Sequence, residues 1–165
     1  MPELDYFPFI AGLKLYYASV SYSAMVPSVV RLFRTVASVA RDDGGTTAVI
    51  TDQWGADPAK SYPLRLDAAG LWDSRTLLFP LPLKVGASWE ADAVRFPMCS
   101  VASLKAKAST LWGDYANCLQ VDFGDEDTGS GSRFYAPGVG LVREQFGGEG
   151  DPWALVLLDV QMPRP

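Results

Sequence analysis

Tyr16, Ala18, Val20 and Tyr22 alternate along the chain with Tyr17, Ser19, Ser21 and Ser23, the period-two pattern of a strand with one wetter face. After Pro27, residues Val29 to Ala40 are rich in β-branched side chains, with Leu32, Arg34 and Val36 on one face and Arg31 and Phe33 on the other. Asp42-Asp43-Gly44-Gly45 then supplies the positive φ that a tight hairpin needs, and Thr46 to Trp54 returns as a third strand. Lys60 to Leu66 predicts a short strand, turned by Asp67-Ala68-Ala69-Gly70 into Leu71-Trp72.

The second part of the chain reads in the same way. Trp89 to Phe96 and Met98 to Ala108 predict two strands, the latter ending in a turn at Gly113-Asp114. Tyr115, Leu119, Val121 and Phe123 share one face of the next strand and Ala116, Cys118, Gln120 and Asp122 the other. Past the polar stretch 124–132, the segments Arg133 to Ala136, Leu141 to Phe146 and Trp153 to Gln161 follow, with Pro137-Gly138 set between the first two as a hairpin turn. No segment keeps the i, i+3, i+4, i+7 spacing of an amphipathic helix, and the nearest candidate, Pro27 to Ala40, is too β-branched to prefer one. The expected class is all-β: one strongly curved antiparallel meander of about ten to eleven strands, an open half-barrel or barrel with little or no helix. Residues 1–165 are expected to form a single β domain, with 161–165 as a flexible tail.

One internal echo stands out. Pro8-Phe9-Ile10-Ala11-Gly12 precedes Leu15, and Pro82-Leu83-Lys84-Val85-Gly86 precedes Trp89 at the same offset, 74 residues further on. Proline cannot donate to a ladder and glycine permits a bend, so each run is expected to carry the chain across a sheet edge before a long strand. The echo raises a duplicated unit as one reading and chance similarity as the other.

Composition narrows the chemistry. At 165 residues and 48% hydrophobic, the chain can bury a core without staples. Its formal charge of -5, with scattered basic residues, disfavours nucleic acid and anionic membranes as partners. The sequence contains no histidine, which removes the usual general base near neutral pH and the commonest transition-metal ligand. No cofactor is expected. No apolar run approaches the roughly 20 residues of a spanning helix, so an integral membrane protein is not expected. The N-terminus shows no basic leader with an apolar stretch behind it. The compartment is therefore read as periplasmic or envelope-associated if a leader has been removed, and otherwise cytoplasmic.

Four groups of residues are candidates for chemistry. Asp125 and Asp127, with Glu126 between them, could offer oxygens to calcium, but Gly129 and Ala136 stand where further ligands belong. A solvated hairpin tip is the plainer reading, and no metal is expected. Cys99 and Cys118 lie on strands one hairpin apart, and the hairpin places Cys118 opposite Ser103 to Lys105, which favours free thiols over a disulfide. Glu90 and Asp92 share one strand face, and with Asp122 they are the carboxylates an enzyme would have to use; a solvent-facing row explains them more simply. Finally, aromatics make up 12% of the chain. On a curved sheet Tyr16, Trp54, Tyr62, Trp89, Tyr115 and Tyr135 could line a concave apolar trough, if side chains do not close it.

Three motifs, Tyr6-Phe7-Pro8 with Gly12, Phe79-Pro80-Leu81-Pro82-Leu83-Lys84-Val85-Gly86 with Trp89, and Tyr135-Ala136-Pro137-Gly138-Val139-Gly140-Leu141-Val142, together resemble bacterial envelope-type all-β proteins of unknown function. That set resembles in turn the curved antiparallel sheet of lipoprotein carriers, and Asn117-Cys118-Leu119 sits where such sequences often carry a similar tripeptide. The chain departs from the pattern at Leu15, where Trp is more usual, and in lacking an export signal. The resemblance implies a fold and no active residue. The expected function is non-enzymatic binding of a hydrophobic small molecule or a protein partner on the concave face. The alternatives are a carboxylate-dependent enzyme and an assembly protein using an edge strand.

Overall fold

The computed structural model describes residues 5–22, 26–91, 98–125, 127, 129–148 and 152–164. Twelve strands form one antiparallel sheet: β1 Lys14–Ser21, β2 Ser28–Asp42, β3 Gly45–Trp54, β4 Lys60–Leu66, β5 Gly70–Asp73, β6 Thr76–Pro80, β7 Ser88–Trp89, β8 Cys99–Ser109, β9 Asp114–Asp125, β10 Gly129–Ala136, β11 Gly140–Gly147 and β12 Trp153–Gln161. A short 3-10 turn at residues 5–6 is the helical structure among the described residues. The segment with the best helical claim, Pro27 to Ala40, is strand, as its β-branching requires.

The spatial order β6-β5-β4-β3-β2-β1-β12-β11-β10-β9-β8-β7 is a meander that begins and ends in the middle of the sheet, where β1 and β12 pair from Lys14↔Gln161 to Ser21↔Trp153. The sheet curls into a nearly closed barrel whose outer strands, β6 and β7, meet at a seam. There the Trp89 indole N–H donates to the Leu78 carbonyl at 2.7 Å. The strand total exceeds the expected ten to eleven because Thr76–Pro80 pairs with β5 instead of looping. Pro80 is compatible with a strand at this place because the strand is an edge, where a missing N–H leaves no ladder bond unmade. Of the expected strand Trp89 to Phe96, residues 92–96 lie outside the described set.

The echo in the sequence corresponds to a repeat in the backbone. Leu13 N donates to Ile10 O, Gly12 N to Val36 O and Val36 N to Leu13 O; 74 and 65 residues further on, Ala87 N donates to Lys84 O, Gly86 N to Val101 O and Val101 N to Ala87 O. Gly12 and Gly86 have φ of 86° and 85°, a left-handed turn that glycine adopts without strain. A β-bulge follows at matching places, between Val36 and Ser38 on β2 and between Val101 and Ser103 on β8. The barrel is thus built as two six-stranded halves, β1–β6 and β7–β12.

Side chains alternate about this wall. Leu15, Tyr17, Leu32, Val36, Ala48 and Ile50 point into the first half, and Cys99, Val101, Leu119, Val121 and Phe123 into the second, all with at most 5% of their surface exposed. Both cysteines are free and buried. They are held apart by register, Cys99 facing Phe123 and Cys118 facing Ala106.

Candidate functional site

Within the first half the interior is not filled. A cavity of about 320 Å³ is walled by Leu13, Leu15, Tyr17, Arg34, Val36, Ile50, Tyr62, Leu64 and Leu71 from the strands and turn of that half. Leu78 and Phe79 close it toward the seam, and Tyr135, Val139, Gly140 and Leu141 reach in from the second half. Residues 6–9, which belong to no strand, cover part of it. The lining is mostly hydrocarbon and aromatic ring, the composition of sites for apolar molecules.

Two polar features break that apolar wall, Asp73 of β5 and a cluster around Arg34. Arg34 lies on β2 directly opposite Asp52 on β3, and its guanidinium grips the carboxylate through Nε–Oδ1 at 2.8 Å and Nη2–Oδ2 at 2.7 Å. The Tyr62 hydroxyl donates to Asp52 Oδ2 at 2.9 Å and accepts from Arg34 Nη2 at 3.2 Å. Burial opposes the arginine charge, yet the bonds to Asp52 outweigh it and hold the guanidinium more basic than usual. Burial also pushes the Tyr62 phenol up to about 12, the Arg34 charge opposing the rise. Tyr17 is buried with its hydroxyl donating to Leu141 O at 2.8 Å, and burial raises its phenol as well. The Arg34–Asp52 pair is net-neutral, and the Arg34 Nη1 amino group has no hydrogen-bond partner among the described residues.

The six aromatics singled out by the sequence are distributed unevenly. Tyr62 and Tyr135 line the cavity. Trp89 packs on Phe79, ring centroids 5.7 Å apart, and bonds Leu78 at the seam. Tyr115 packs against a core cluster to which both halves contribute. Tyr16 stacks on Phe33 at 4.7 Å, on the wall face opposite Leu15 and Tyr17. Trp54 is 40% exposed at the end of β3. The strand pattern at 16–23 pointed to the wrong wet face because Tyr17 sits among serines; it is the fully buried residue, with its hydroxyl satisfied by a carbonyl.

The other candidates fall elsewhere. Asp127 N donates to Asp125 Oδ1 at 3.0 Å, while Glu126 and Thr128 lie outside the described residues. Glu90 is exposed, and Asp92 is not described. Asp122 accepts from Ser132 Oγ at 2.7 Å and Gln120 Nε2 at 2.9 Å, away from the cavity. Sequence reasoning missed Arg34, Asp52 and Tyr17 as site residues; the available signal was a charged residue sharing a strand face with Leu32 and Val36.

No protein-family model matches the chain, and no curated protein matches it. Solved structures do. A "putative lipoprotein" from Parabacteroides distasonis superposes with a TM-score of 0.64 at 12% identity, over 94% of this chain and 98% of that one. A "putative exported protein with YmcC-like fold" from Bacteroides fragilis gives 0.66 at 13%, with the same coverage. This chain shares their fold. A LolA superfamily protein from Nitrosomonas europaea also aligns, over 99% of this chain and 91% of that one at 9% identity, but with a TM-score of 0.29 it supports no argument. The likeness to bacterial envelope-type all-β proteins that the turns and aromatic strand starts implied is therefore found again in three dimensions.

Proposed function

We propose that the protein is a non-enzymatic binding module that takes an apolar small molecule into the cavity on the inner face of its sheet. The observation that carries this reading is the unfilled volume itself. Its walls are mostly apolar and open in part to solvent, and a hydrophobic guest that covers them removes that surface from water at about 25 cal/mol per Å². At the matching place in the second half, the Arg133 guanidinium packs on the Phe123 ring at 4.3 Å. Leu15, Ile50, Leu64 and Phe79 would contact the hydrocarbon part of the guest, and Arg34 Nη1 would offer its N–H groups to a polar atom of it. A small molecule suits this concave, partly covered space better than a protein surface does. The two fold neighbours, described as a lipoprotein and an exported protein, support an envelope location for this chain too, which cell fractionation would check.

The direct test is to extract natively purified protein with organic solvent and identify the bound species by mass spectrometry, alongside titration with the neutral dye N-phenyl-1-naphthylamine. Saturable binding near one equivalent, reduced by the cavity-filling substitution Leu78→Trp, is expected. Absence of both an extracted guest and saturable dye binding sinks the proposal.

A further inference from the structure

Residues 5–9 belong to no strand, yet Tyr6 and Phe7 among them are buried against the barrel's core while Asp5 is exposed. Tyr6 and Phe7 are 9% and 7% exposed. The Phe7 ring packs on Phe79, 4.6 Å away, and edge-on to Tyr135, 5.6 Å away, while those two rings touch each other at 5.1 Å. Few polar bonds fix the segment to the barrel: Gly138 N donates to Asp5 O at 2.7 Å, and the Tyr6 hydroxyl donates to Asn117 O at 3.0 Å, with Leu104 O at 3.4 Å. Asn117 takes a left-handed backbone, φ 54°, which asparagine tolerates better than most residues. At Gly140 a side chain would come within 3.3 Å of the Pro8 ring, so the seat for the segment is built on its far side as well.

The repeat supplies the second, independent observation. The counterpart of residues 5–9, 74 positions on, is residues 79–83, where Phe79 and Leu83 are also buried. Phe79 and Pro80 of that stretch are paired with β5 as part of β6, whereas none of residues 5–9 belongs to a strand. A segment outside the ladder opens at a lower free energy than one paired within it.

We infer that residues 5–9 are an internal competitor for the cavity, and that the apolar end of a guest takes the place of the Phe7 ring against the paired rings of Phe79 and Tyr135. This rests on the cavity being a binding site. A ligand for that place needs an unbranched acyl or ring portion without charge, because the surface it meets is aromatic and Tyr135 keeps its proton, burial raising its phenol far above the usual value. Binding then requires the segment to leave, and the apparent affinity is the intrinsic affinity scaled by the fraction of molecules in which it has left.

The test turns on a sign. If Phe7 were only a core residue, Phe7→Ala would loosen the barrel and weaken binding; as a competitor, its removal raises affinity. Titration of the full chain with N-phenyl-1-naphthylamine is expected to give a dissociation constant at least about tenfold lower for Phe7→Ala than for the wild type. Tyr6→Phe, which loses only the hydroxyl's bonds to Asn117 O and Leu104 O, keeps the fold if Phe7→Ala does not; it is expected to tighten binding about threefold. Hydrogen exchange of the Gly138 amide, which donates to Asp5 O, should accelerate in the dye-bound wild type. Equal or weaker binding by the folded variants, or dye binding with that amide still protected, overturns the competitor while leaving the cavity reading intact. No saturable binding by any of the proteins overturns both.

Discussion

The two halves of this barrel share a turn, a bulge and a six-strand meander, yet they hold different contents. In the second half, Phe123, Phe146 and Trp153 follow one another as stacked rings, 6.3 and 6.1 Å apart, and the Arg133 guanidinium sits 4.3 Å over Phe123 while pairing with Glu144 at 3.1 Å. Leu119, Val121 and Val101 close the rest of the space with 1% exposure or less. In the first half the equivalent place is a cavity edged by Arg34, Tyr62 and Asp73, with Asp52 bound to the first two. Backbone hydrogen bonds therefore set the shape of each half, and side-chain volume alone decides whether it is core or container.

The contrast is broken or sharpened most strongly by truncating leucines of equal burial. Leu119 and Leu15 are both at most 5% exposed, but Leu15 borders the cavity and Leu119 does not. A side chain that faces a void has fewer atoms to lose contact with. Leu119→Ala is expected to cost about 4 kcal/mol and Leu15→Ala about 2 kcal/mol, both within the range for buried leucine, as read from urea unfolding. Equal losses would mean that the first half is as tightly packed as the second.

A smaller effect separates the halves by pH. The Tyr62 phenol is held at about 12 in the folded protein against 10.0 in the open chain. Between those values the unfolded state has lost a proton that the folded state keeps, so stability falls as pH rises through the window and is fully present below it. The contribution at stake is on the order of 2 kcal/mol. Tyr62→Phe should flatten the decline between pH 10 and pH 12 by about that much, while leaving the remaining slope from buried Tyr17 and Tyr135 in place. An unchanged alkaline profile would show that Tyr62 does not sit in the buried cluster described.

How much of this was legible in the sequence follows from what each feature depends on. The hairpin at Asp42–Gly45 and the strands beside it could be read because the turn chemistry and the period-two pattern act locally. The repeat could be glimpsed because its turns need proline and glycine at fixed places. The site could not be assembled. Counting back from the Asp42↔Gly45 turn places Arg34 opposite Gln53, and only the bulge between Val36 and Ser38 slips the ladder by one residue to bring it against Asp52. A one-residue slip changes every partner beyond it, and nothing in a β-branched run marks where the extra residue goes. Tyr17 was hidden for a related reason, since a phenol among serines reads as surface until a carbonyl from β11 is known to lie over it.

The seam offers the finest test of the comparison. Where the halves join at β1 and β12 the backbones pair over the full length of β1, but at β6 and β7 the indole of Trp89 bonds the carbonyl of Leu78 across the gap. Trp89 and Leu15 occupy matching places in the two halves, so the larger side chain stands where a side-chain bond spans the seam. Trp89→Phe keeps a ring against Phe79 and removes only the donor, leaving a part-buried carbonyl unmatched at a cost of about 1 kcal/mol. If that bond closes the barrel, amide exchange in Leu77 and Phe79 should speed by roughly fivefold, the rate equivalent of that energy in a local opening, while Leu155 and Leu157 on β12 keep their protection. Acceleration shared equally by β6 and β12 would mean that the two junctions open together and that the barrel has no weaker side.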